Sequence, residues 1–168
     1  MRAQMELALR FVVRDDPEAP GGKSGFPIYR GSKKKGNREF TGRVAIADKN
    51  SKSVALWRES VMSAARPNHV PLISPALQDD LVVKYYFTIG KPSSVNLDKR
   101  PYPNVRPDWD NLIKPTQDAI TVAGLWHDDS RIITGISSKA YVGGYHPDGT
   151  PAESVPGCVI EIFKIVRP

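Results

Sequence analysis

Cysteine is nearly absent from this chain. The single Cys158 excludes an internal disulfide framework and any multi-cysteine zinc site. Long apolar runs are missing too, none approaching the roughly 20 residues of a membrane-spanning helix. The amino terminus, Met1-Arg2-Ala3-Gln4-Met5-Glu6, lacks the extended apolar core of a secretory signal. There is no internal repeat and no clear domain boundary. These absences leave the expectation of a soluble cytoplasmic protein with one domain spanning residues 1–168. Its hydrophobic share, 40%, is enough for a real core.

Acids are scarce in one place only. Between Lys23 and Arg43 stand seven basic residues (Lys23, Arg30, Lys33, Lys34, Lys35, Arg38, Arg43) against one acid, Glu39. That window carries +6, the formal charge of the whole chain, and the remaining 17 basic and 17 acidic residues cancel. Basicity so concentrated suits a polyanion, because each phosphate contact releases condensed counterions. A solvated basic loop without a partner is the plain alternative. Tyr29 and Phe40 lie in the same stretch, where they could stack on unpaired bases or pack the loop onto the domain.

Patterning gives an α/β (α+β) order with a mixed sheet. Residues 6–13 read as a strand by short alternation and β-branched content. The Pro- and Gly-rich stretch from Asp15 runs into the basic segment, so about 15–43 reads as a flexible basic loop, with a short strand at 44–47. Val54, Trp57, Val61 and Ala65 recur at helical spacing and predict a helix over 51–65, stopped by Pro67 and Pro71. Residues 81–90 form the clearest strand, and 90–107 a second polar loop. A second helix is expected over 111–123, closed by Gly124. Strands over 132–142 and 158–166 follow, joined as a long hairpin through a turn-rich stretch.

Chemistry concentrates between Arg106 and Arg131. Asp108 and Asp110, two apart in an extended segment, point their carboxylates the same way. Magnesium takes such oxygen ligands, one or two carboxylates together with substrate phosphate. Asp110 also stands where a helix N-cap belongs, a role that needs no metal. Lys114 follows four residues on, either a local partner for Asp110 or a cation for a scissile phosphate. Asp128 and Asp129 come after the helix, where adjacent acids often merely turn the chain. His127 reads as a surface or structural histidine, and Asp118 as a solvated helix acid. Carboxylates inside a nucleic-acid binder repel phosphate unless a metal intervenes, and that combination points to metal-dependent phosphodiester cleavage.

The run Arg106-Pro107-Asp108-Trp109-Asp110-Asn111-Leu112-Ile113-Lys114 resembles the D-x-D-N-L-x-K element of RusA-type Holliday-junction resolvases. Asp118-Ala119-Ile120, followed by Ala123-Gly124-Leu125-Trp126-His127-Asp128-Asp129, is similar to that family's second element. The likeness is good from about Leu81 to Val142 and poor in the amino-terminal third. It implies a RusA-like fold, endonuclease activity on branched DNA, Mg²⁺ or Mn²⁺ as cofactor, a homodimer, and a bacterial or phage origin. It implies that Asp108, Asp110 and Asp129 bind metal, with Asp128 the adjacent acid and Lys114 the essential lysine. Arg106 and the seven basic residues of the amino-terminal segment are then expected to contact DNA. The chain departs from the family in a longer, more basic amino-terminal loop and in Pro107, which stands at a position where a second basic residue is expected.

A straight helix over 111–123 spans about 20 Å at 1.5 Å per residue. Asp110 and Asp129 meet only if the chain folds back after Gly124, or if they come from different subunits; a glycine at 124 favours the fold-back. Three rivals stand beside the resolvase: a non-catalytic branched-DNA-binding protein, a flap- or fork-specific nuclease, and a sugar transferase with an Asp108-Trp109-Asp110 motif. The chain is short for the last and shows no nucleotide-binding βαβ pattern.

Overall fold

A computed structural model describes residues 4–21, 23–31, 36–48, 50–68 and 77–166. The strands are β1 (Gln4–Val13), β2 (Lys23–Arg30), β3 (Glu39–Asp48), β4 (Leu81–Ile89), β5 (Ile132–Tyr141) and β6 (Gly157–Val166). The helices are α1 (Ser51–Ala65) and α2 (Trp109–Ala123). Four strands form a mixed sheet in the order β1-β6-β4-β5, and β2 and β3 form a separate two-stranded sheet.

The main sheet is organised by β4 and β6. Strand β4, LVVKYYFTI, is apolar on both faces and buried along most of its length, as a central strand must be. It pairs in parallel with β5 and antiparallel with β6. Helix α2 is the crossover that a parallel β4–β5 pair requires. The expected β5–β6 hairpin is not formed: β6 inserts between β1 and β4. The reason lies in its buried run Gly157–Ile160, which is too apolar for a sheet edge. Gly157 permits the close approach to β1, since a Cβ there would stand 2.1 Å from the Val13 carbonyl oxygen.

Both helices contribute to one core with the sheet. Leu81, Val83, Tyr85 and Phe87 alternate along β4 and join Ile160 and Ile162 of β6. Trp57, Val61 and Ala65 of α1, and Leu112, Ala119 and Ile120 of α2, complete it. The helices are locked together where Trp57 Nε1 donates to Thr116 Oγ1 at 3.0 Å, and Thr116 in turn donates to the Leu112 carbonyl. On the opposite face of β4, Tyr86 meets the buried His146 ring edge-on, so the β5–β6 connection covers that face.

The largest departure from expectation lies in the basic stretch. Residues 23–30 and 39–48 are not a loop with one short strand but an antiparallel pair, β2 with β3. The pair is held by cross-strand contacts, including Tyr29 opposite Phe40, and such contacts leave no periodic apolar signal in the sequence.

Candidate functional site

The helix that carries the acids begins two residues earlier than the sequence suggests, at Trp109. Asp108, extended at φ −66° and ψ 140°, is therefore the N-cap, and Asp110 lies in the first turn. The Asp108 side chain makes no capping hydrogen bond. The cap explanation thus fails for Asp110 by position and for Asp108 by geometry. Lys114 does not engage Asp110 either; its ammonium pairs with Asp118 at 3.2 Å. Among the described residues no ion pair includes Asp108 or Asp110, and both are exposed. The positive end of the α2 dipole favours negative charge at this position.

Strand β5 holds this acidic element in place. Lys139 Nζ donates to the Pro107 carbonyl at 2.8 Å and to the Val105 carbonyl at 3.1 Å. Trp109 Nε1 donates to the Ser137 carbonyl at 3.0 Å. Burial pulls the Lys139 ammonium below its ordinary pKa, and the charge of Asp108 pulls the other way. Beside the element lies a cleft of about 380 Å³, lined by Glu18, Asn50, Arg106, Asp108 and Asn111 among others. Lys139, Glu18 and Asn50 were not legible as site residues, because Lys139 meets the turn before Asp108, and Glu18 and Asn50 the cleft beside it, across the fold and not along the chain.

At the far end of α2 the chain does reverse. Gly124 adopts φ +79°, and its N–H returns to the Ile120 and Thr121 carbonyls. The next residues are fastened to Leu77 by Leu77 N–H to the Leu125 carbonyl and His127 N–H to the Leu77 carbonyl. Asp128 then caps the short 3-10 turn Asp129–Arg131, accepting from the Ser130 amide at 2.8 Å. Hydrogen bonds from Ser130 hold its carboxyl below the usual carboxylate range. Asp129 is exposed and makes itself felt at Tyr85, whose phenol is pushed up first by burial, with Cys158 and Asp129 adding and Gln117 opposing. Gln117 lies seven residues beyond Asp110, two turns along the same helix face.

The acids do not close into a cage. Among the described residues no three His, Cys, Asp or Glu side chains converge to hold an ion. What the structure offers a magnesium ion is two exposed carboxylates in no described ion pair, Asp108 in extended backbone and Asp110 in the first helical turn, so the extended segment expected to point both the same way is not formed. That pair matches the one or two carboxylates that magnesium takes from a protein when phosphate supplies the rest.

Of the expected DNA contacts, Arg30 and Arg43 are exposed on β2 and β3, Arg38 is exposed just before β3, and Arg106 is exposed beside Asp108. For Lys23 the backbone alone is described, and Lys33, Lys34 and Lys35 lie outside the described residues. Tyr29 and Phe40, 40% and 51% exposed, tilt against each other at 5.8 Å. The Arg38 guanidinium sits 3.8 Å over the Tyr29 ring. These aromatics pack on one another across the strand pair, with Arg38 covering a face of Tyr29, and both stay partly exposed.

Among the described residues no helix is long and apolar enough to cross a membrane. No curated protein matches the chain. The family model for endodeoxyribonuclease RusA matches residues 31–147, from the end of β2 through α1, β4, α2 and β5 into the following loop. That span takes in every acid of the element described above, and with it the chain belongs to the RusA family of endodeoxyribonucleases.

Proposed function

We propose that this protein resolves four-way DNA junctions as a homodimer, hydrolysing phosphodiesters with bound Mg²⁺ or Mn²⁺. The observation that carries the reading is the exposed, unpaired Asp108 and Asp110 at the start of α2, in a chain of this family. Magnesium, when bound, polarises a non-bridging phosphate oxygen and lowers the pKa of the attacking water. Asp108 and Asp110 would hold it, with Asp129 as a third carboxylate. Lys114, three-quarters exposed at the side chain, exchanges Asp118 for the phosphate and stabilises the charge that develops there. Asp128 keeps the Asp129 turn in shape through its bond to Ser130. A junction is itself near two-fold symmetric, so a two-fold dimer presents two such sites to strands of like polarity.

Affinity is assigned to the β2–β3 pair. Replacing Arg30 and Arg38 together by alanine is expected to weaken junction binding and to flatten its logarithmic salt dependence by about two, one for each phosphate no longer neutralised. The cleavage rate at saturating DNA stays unchanged. A salt slope equal to that of the parent protein excludes this surface from the DNA interface.

The reading itself is tested by comparing a synthetic four-way junction with matched flap, fork and duplex DNA in Mg²⁺. Preferred cutting of the junction supports it. Equal cutting of flaps and forks keeps the nuclease and removes the junction specificity. Binding without cutting of any substrate marks a non-catalytic relative.

A further inference from the structure

We propose that Lys139 is the positioning residue of the acidic element: it fastens the turn before α2 so that Asp108 faces an incoming phosphate. The inference rests on the reading of Asp108 and Asp110 given above, and goes beyond it to a residue outside both acidic motifs.

The geometry is a tether between two parts of the chain more than 30 residues apart. Residues 90–108 carry no regular secondary structure, and the hydrogen bonds described within the segment run from Lys91 to Asn104 and stop short of Asp108. Lys139 supplies the missing constraint from the rigid sheet, donating to the carbonyls of Val105 and Pro107. Those carbonyls flank Arg106 and immediately precede the N-cap. A lysine ammonium has three donors, and two of them are placed on this turn. The Trp109 indole, bonded to the Ser137 carbonyl, fixes the next residue to the same strand. Asp108 is therefore bracketed by two attachments to β5, and Lys114, engaged with Asp118, contributes to neither.

The chemistry predicts that removing the tether weakens metal capture and leaves DNA binding intact. Outer partners that orient metal ligands are typically worth 10–100-fold in metal affinity or activity. The test uses the full chain with Lys139→Met and Lys139→Arg, each mixed with four-way junction. Mn²⁺ binding is read directly from the spin-resonance signal of the free ion, beside cleavage and metal-free junction binding. The expected result for Lys139→Met is Mn²⁺ affinity lower by about 10–100-fold, cleavage needing correspondingly more metal, and unchanged metal-free binding. Lys139→Arg, which keeps both donors and the charge, recovers most of the loss. Mn²⁺ affinity and cleavage equal to the parent in Lys139→Met overturn the proposal while leaving the metal-dependent reading standing. Loss of metal-free junction binding also overturns it, because Lys139 is then a DNA-binding residue. A parent protein that binds no Mn²⁺ and cuts no junction overturns both readings together. If Lys139→Met does not fold, amide exchange over residues 105–110 in Lys139→Gln decides: faster exchange there alone supports the tether, and unchanged exchange refutes it.

Discussion

Asp110→Asn is expected to slow junction cleavage by on the order of 10²–10³-fold, the scale seen when one electrostatic partner of a transition state is removed. The substitution keeps the shape of the side chain and removes its charge. In this fold the charge makes no described ion pair and lies in the first turn of α2, not at its cap. Loss of a first-turn acid costs a helix only about 0.3–1 kcal/mol, too little to unfold the protein. Junction binding measured without metal should therefore stay intact. Single-turnover cleavage, with binding and melting temperature measured on the same preparation, separates the outcomes. Parallel loss of binding and thermal stability would assign Asp110 to the architecture. Asp108→Asn should behave alike, since its carboxylate caps nothing.

The second large effect is one of stability. Trp57 is fully buried in the core it shares with α2 and bonds Thr116 across the helix pair. Trp57→Ala should destabilise the protein by roughly 3–5 kcal/mol, the range for emptying a large aromatic from a packed core. Trp57→Phe keeps most of the volume and loses the indole donor, at a cost of about 1 kcal/mol. Chemical denaturation of the three proteins gives both differences from the shift in midpoint at constant slope. Because α2 carries Asp110 and Lys114, the surviving folded fraction of Trp57→Ala should cleave at a normal rate only while α2 stays seated. An alanine variant as stable as Trp57→Phe would show that the interhelical core is not where the structure places it.

Much of the fold is readable from the chain where a single element explains its own residues. The apolar spacing of Val54, Trp57, Val61 and Ala65 marks α1 with its observed bounds, and the continuous run of β4 marks a buried strand. The composite of two acidic motifs points to the family that the match over 31–147 shows. What escapes depends on partners distant in sequence. The β2–β3 pair stands on cross-strand contacts between exposed residues. The place of β6 between β1 and β4 is a matter of topology, which alternation cannot encode. At the site the shift is smaller and more consequential. Two residues at the start of α2 exchange the roles of Asp108 and Asp110 at its cap, and Lys139 enters from a strand that pattern reading treats as scaffold.

Junction cleavage by acids at the start of α2 is addressed most directly by one strand-resolved assay. Purified protein is incubated with a four-way junction labelled on each strand in turn, with Mg²⁺ and then with the metal chelated. Paired nicks are expected, symmetric across the junction, in strands of like polarity; they vanish on chelation and in Asp110→Asn. Nicks that persist without metal, or that survive intact in Asp110→Asn, would contradict the assignment of catalysis to these acids.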